Sequence, residues 1–253
     1  MTNQENIPGI HNWCDRWCEK CPFIARCAVG EQELDLIEQE QKGIKLDFWE
    51  GIKEQFTKSI QLIDELAKEK GIDLDDISDE EWNKINRERE EQELVGENHQ
   101  ISKIAMHYLK TCQQILDSEF IKNKYDSELA KFELGLEQQA HQNLHQFKEA
   151  VDIIRWYMFF IPAKSQRLIM ENLDRDFEDA EFPPEERSYN GTAKITLIAI
   201  ERSISSWGVL LKTYPEHQDE ILAVLALLQK LQRMIKNEFP DAMRFIRPGF
   251  DEK

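Results

Sequence analysis

Ten glycines and eight prolines are too few to punctuate 253 residues into the short strands and tight turns of a β fold. Beyond residue 30 the chain is built from Glu, Gln, Lys, Leu and Ile, residues that favour helix. No segment alternates polar and apolar residues for long enough to make a half-buried strand. The expectation is therefore all-α: an irregular multi-helix bundle over residues 31–253, carrying a small cysteine-rich, metal-binding head over residues 1–30.

Capping and breaking residues place the helices. Asp47 with Glu50 opens a helix that runs to Lys70 and stops at Gly71, and Ser78 with Glu81 forms a capping box for the next. Gly96 is expected to end or kink that second helix. Apolar groups at Ile101, Ile104, Ala105, Tyr108, Leu109, Cys112, Ile115 and Leu116 repeat at helical spacing and predict a helix over 99–122. Another is expected over 127–161, closed by Pro162, with a short one over 163–173. The stretch from Asp174 to Gly191 reads as a loop, with Pro183-Pro184 inside it and a turn at Asn190-Gly191. Helices follow from Thr192 to Tyr214 and from Pro215 to just before Pro240, after which Phe245, Ile246 and Phe250 are expected to pack on the bundle.

A net charge of −17 argues against nucleic acid as a partner, because phosphate binding needs clustered Lys and Arg. The charge concentrates between Asp73 and Glu97, where eleven acidic residues face three basic ones, a net of −8. This is either a solvated helix surface or a docking face for a basic protein partner. The first residues have neither a basic region nor an apolar one, and no apolar run approaches the ~20 residues needed to cross a bilayer. The expectation is a cytoplasmic protein with no membrane association. In that reducing compartment, close-spaced cysteines serve as metal ligands rather than disulfides.

Four of the five cysteines lie in one short run, Cys14-x3-Cys18-x2-Cys21-x5-Cys27, with His11 just before it. Thiolates are soft donors, and four of them complete the coordination of zinc or of an iron–sulfur cluster. Both remain open on spacing alone. His11 is either a substitute ligand or a local partner of the site, and Trp13, Trp17 and Phe23 would shield it.

The run from Cys18 to Cys27, with Pro22 and Phe23 following Cys21, resembles the C-x2-C-P-[FY]-x3-C end of 4Fe–4S sites in iron-staple nucleases. Similar spacing occurs in the auxiliary-cluster domains of radical-SAM maturases. The resemblance implies a 4Fe–4S cluster on Cys14, Cys18, Cys21 and Cys27. It does not imply a nuclease, since no PD-(D/E)xK pattern is present, nor a radical-SAM barrel, which needs strands. The head as a whole is similar to the start of uncharacterised bacterial helical proteins, which implies a helical fold only.

A second candidate lies in the bundle. On the helix expected over 127–161, Glu137, His141, His145, Lys148, Asp152 and Arg155 fall within roughly an 80° arc, beside an apolar face of Leu144, Phe147, Val151, Ile154 and Met158. His141 and His145 are spaced to reach one ion; the stripe is otherwise a polar boundary. Glu201, near Ser205 and Gly208, is a candidate ligand or general base, or the partner of Arg155 or Arg202. Arg155, next to Trp156, Met158 and Phe159, is expected to be partly buried and paired with Asp152 or Glu201. Cys112 lies on an apolar stripe and reads as core.

Three functions fit these features. The first is a metal-bearing accessory, interaction or electron-transfer protein with a redox or basic partner. The second is an enzyme built around His141, His145, Asp152, Arg155 and Glu201. The third is a protein in which zinc is purely structural.

Overall fold

The computed structural model of the chain describes residues 5–41, 48–71, 78–135 and 140–251. Among them there is no strand, and the elements are α1 (Ala28–Gln41), α2 (Phe48–Lys70), α3 (Asp79–Asn98), α4 (Gln100–Leu116), α5 (Glu119–Glu133), α6 (Ala140–Glu171), α7 (Arg175–Glu181), α8 (Ser188–Thr213) and α9 (Gln218–Glu238). The chain divides into two compact units, Met1–Glu91 and Gln92–Lys253, with the division inside α3.

In the first unit the head is a succession of turns, including 3-10 turns at Cys18–Lys20 and Ile24–Arg26. The Ile7 amide donates to the Arg26 carbonyl at 3.0 Å and closes the run into a loop around the cysteines. Ile10, 2 % exposed, gives the loop an apolar centre. α1 packs directly on the Ile24–Arg26 turn. Gly30 permits this, because a Cβ there would lie 2.3 Å from the Ile24 carbonyl oxygen. Gly30→Ala is therefore expected to push α1 off that turn, at about 1–3 kcal/mol. The readout is faster amide exchange at Ile7 and Arg26; unchanged exchange there would show that the close approach holds nothing in place.

α3 begins as its capping box requires. The Glu81 amide donates to Ser78 Oγ at 3.2 Å, and Glu81 Oε2 accepts from the Ser78 amide at 3.1 Å. Gly71 ends α2 at φ +65°. The Asp47 cap lies outside the described residues.

The second unit is organised as a closed ring of four helices. α4 packs on α6 and α9, and α8 packs on α6 and α9, with α5 added against α6. Each helix brings an apolar stripe at helical spacing. On α9 these are Ile221, Val224, Leu228, Leu231 and Ile235, and on α4 they are Ile101, Ile104, Ala105, Tyr108, Cys112 and Leu116, all buried. α8 differs: from Tyr189 to Leu197 every residue is buried, because the turn Ala242–Arg244 covers the side that α6 and α9 leave open.

Several expected boundaries move. α6 runs through Pro162 to Glu171 instead of closing at it. A Pro costs about 3 kcal/mol inside a helix, and here the burial of Leu168 and Ile169 beyond it offsets that loss. The helices expected over 99–122 and 127–161 are re-divided by a break at Asp117-Ser118 and a turn at Gly135, φ +64°. Asn190-Gly191 is not a turn but part of the first turns of α8, where the Asn190 side chain donates to the Pro184 carbonyl at 3.0 Å. Part of the expected loop is helical as α7. α3 continues past Gly96, which is buried and lets Met170 of α6 come within 3.3 Å of where its Cβ would stand. Phe245 is 2 % exposed as expected, whereas Ile246 is half exposed.

Candidate functional site

All five cysteines are unbridged thiols. Cys27 is buried where the head meets α1, and Cys14, Cys18 and Cys21 are half-buried. The local backbone sets their positions. Cys14 Sγ donates to the His11 carbonyl at 3.5 Å, Arg16 takes a left-handed φ of 58°, and the Trp17 amide donates to Asp15 Oδ1 at 3.3 Å. A left-handed non-glycine residue is uncommon and reverses the chain between Cys14 and Cys18. The Cys21 amide then donates to the Cys18 carbonyl at 3.0 Å, closing the C-x2-C turn. Lys20 Nζ lies 4.1 Å from the centre of the Trp17 ring, so the indole forms part of the head's outer wall.

Burial raises the Cys14 and Cys18 thiols above the ordinary cysteine value. At Cys18 burial is the main cause, and the neighbouring acidic groups Cys14, Glu33, Cys21 and Cys27 add to the rise. Among the described residues no three His, Cys, Asp or Glu side chains close around a common point as a metal site. The donor set therefore suits a thiophilic metal in number and softness, and its sulfurs have to be drawn inward to bind one.

The bundle candidates are not brought together. His141, His145, Lys148 and Arg155 are exposed and Asp152 is half-buried, while Glu137 lies outside the described residues. His141 rests on Phe132 with ring centres 5.3 Å apart. The expected burial and pairing of Arg155 is corrected: it is exposed and forms no ion pair with Asp152 or Glu201. The reason is that its neighbours Trp156 and Phe159 are themselves 36 % and 54 % exposed, so this face of α6 looks outward. Glu201 is exposed too, and its partners come from α9: Gln232 Nε2 at 3.1 Å and Lys236 Nζ at 3.7 Å, instead of Arg155 or Arg202. Gly208 has nothing within 4 Å of its would-be Cβ, so no other helix approaches closely there, and its neighbours Ser205 and Val209 line a shallow groove between α6 and α8.

Among the described residues the charges that the second unit buries are Glu128 and Lys194. Glu128 pairs with Lys131 at 3.0 Å. Lys194 Nζ reaches the Phe245 carbonyl and Asp251 Oδ2, each at 2.7 Å. A lysine in the apolar run around Ile195 was the one sequence signal for the latter. Cys112 is core, as expected, and burial pushes its thiol up to about 12, which removes it as a nucleophile at neutral pH.

Comparison with known families, curated proteins and solved structures finds no match to this chain. Fold and site together define an all-helical protein with a four-helix core and a turn-rich, four-thiol head. No described helix is long and apolar enough to cross a membrane.

Proposed function

We propose that this is a cytoplasmic metal-binding protein of accessory or electron-transfer type, with Cys14, Cys18, Cys21 and Cys27 holding the metal. The observation that carries the reading is the placement of all four thiols in one short run, inside a turn-rich head closed by the Ile7–Arg26 backbone hydrogen bond. Bound there, a 4Fe–4S cluster supplies a one-electron couple, whereas zinc supplies a crosslink that stabilises the head. Around a bound metal, the buried Ile10 and the half-buried Trp17 would restrict water, and the left-handed backbone at Arg16 reverses the chain between Cys14 and Cys18. The exposed carboxylates of α3 offer a docking face for a basic partner.

The test is anaerobic purification followed by elemental analysis and absorbance. A brown protein absorbing broadly near ~400 nm supports the cluster. One zinc per chain and no colour supports the structural reading, and neither metal removes the proposal.

Metal loading is also expected to depend steeply on pH. The Cys14 and Cys18 thiols lie above the ordinary value, so both are protonated at neutral pH and the metal must displace at least two protons. Apparent affinity should fall at least about 100-fold for each pH unit below neutrality, and more steeply if all four thiols lose protons on binding. Competition with a chelator across pH 6–8 measures this; a flat profile would mean that these thiols are not ligands.

A further inference from the structure

We propose that the groove between α4 and α6 is the docking site for an acidic amphipathic helix of a partner protein. The inference rests on the second unit alone and is independent of metal in the head. α4 carries Lys103, His107 and Lys110 at i, i+4 and i+7 and contains no Asp or Glu, in a chain whose net charge is −17. All three are exposed, and neither Lys103 nor Lys110 forms an ion pair among the described residues. Beside them runs an apolar floor in which Met106 is 44 % and Phe159 54 % exposed. Leu109 is half-buried there, and Pro162 and Ala163 complete the wall on α6. The groove encloses about 850 Å³ and is open to solvent, with Glu97 as the one carboxylate that lines it.

This combination selects the occupant. An open trough between two helices does not enclose a small molecule, but it accepts a third helix laid against both. Apolar residues at i, i+3 or i+4 and i+7 of that helix would cover Met106, Leu109 and Phe159. Carboxylates on its flank, two turns apart, would meet Lys103 and Lys110, whose spacing along α4 is ~10.5 Å. The remote negative charge of the chain opposes this little, because charges beyond about 8 Å are screened at physiological ionic strength. The local pairs decide.

The experiment measures binding of a labelled synthetic helical peptide, with leucines at that spacing and glutamates on the flanks, to the full chain by fluorescence anisotropy. A charge-inverted peptide with lysine for glutamate and a scrambled peptide are the comparisons. The acidic peptide is expected to bind saturably, and the Lys103→Glu/Lys110→Glu double variant to lose about tenfold or more and to prefer the inverted peptide. Phe159→Ala, exposed and so neutral for folding, should weaken the acidic peptide to a similar degree, with circular dichroism confirming intact helices in both variants. Equal binding of all three peptides, no saturable binding, or affinity unmoved by charge reversal would overturn the proposal. Saturation of the groove by decanoate but not by the acidic peptide would overturn it too, in favour of a small-ligand site.

Discussion

Cys21→Ser is expected to bind metal about 100-fold more weakly and to surrender it to a chelator that the wild type withstands, with its helical signal nearly unchanged. In small zinc domains four ligands share about 10–16 kcal/mol, so losing one removes on the order of 3 kcal/mol, a factor of roughly 100 in affinity. Serine is close to isosteric but offers a hard, protonated oxygen where a soft thiolate is needed. The helices should survive because the head consists of turns, held by the Ile7–Arg26 and Cys21–Cys18 backbone bonds rather than by a helix. Amide exchange should therefore accelerate in residues 7–26 and stay slow in α4, α6, α8 and α9. Cys112→Ser is the control: that thiol is fully buried in the second unit and should leave metal content untouched. Chelator competition giving Cys21→Ser the wild-type metal affinity would remove Cys21 from the ligand set.

What the sequence made legible was local in origin. The Ser78–Glu81 box, the glycine stop at Gly71 and the stripes on α4 and α9 depend on residues within a turn or two of one another, and each appears where its pattern places it. The four cysteines stood out for the same reason. Where the fold departs from the local pattern, a distant contact overrides a local preference. Pro162 is a helix breaker by itself, but Leu168 and Ile169 find buried places further along the same helix. Asn190 and Gly191 favour a turn, yet the buried start of α8 absorbs them. Arg155 and Glu201 sit beside buried residues such as Met158 and Ile200 along the chain, yet each lies on the outward side of its helix, which neighbours in sequence alone do not decide. The order of helices around the ring, and the choice of Lys194 over Arg155 as the buried cation, depend on contacts that no periodicity encodes.

That buried cation supports the second large effect. Lys194 sits on α8 with its side chain 9 % exposed, and Asp251, 21 % exposed, lies 2.7 Å from its ammonium. Arg247 Nη2 meets the same carboxylate at 2.9 Å, and the Arg247 amide donates to it at 3.0 Å. Asp251 thus ties residues 247–251 to the helix at the centre of the bundle. Removing it by Asp251→Ala leaves a buried ammonium with only backbone carbonyls, which is expected to cost about 3 kcal/mol or more. For a unit of this size that corresponds to a fall in Tm on the order of 10 °C. Lys194→Met should cost less, since an apolar chain of similar shape fills the site and Asp251 keeps Arg247. Asp241→Ala, which removes only an exposed pair with Arg244, should cost less than about 1 kcal/mol. The pH dependence has a definite sign. Arg247 and Lys194 hold the Asp251 carboxyl well below its usual range despite burial, which acts the other way. Its contribution is therefore complete above the unfolded value near ~3.9 and is lost only as pH falls through the depressed folded value. Calorimetry of wild type and Asp251→Ala should show their Tm difference constant at neutral pH and shrinking in acid below about pH 4. A difference that persists undiminished in strong acid, or equal losses in Asp251→Ala and Lys194→Met, would show that the carboxylate charge is not what holds this part of the chain to α8.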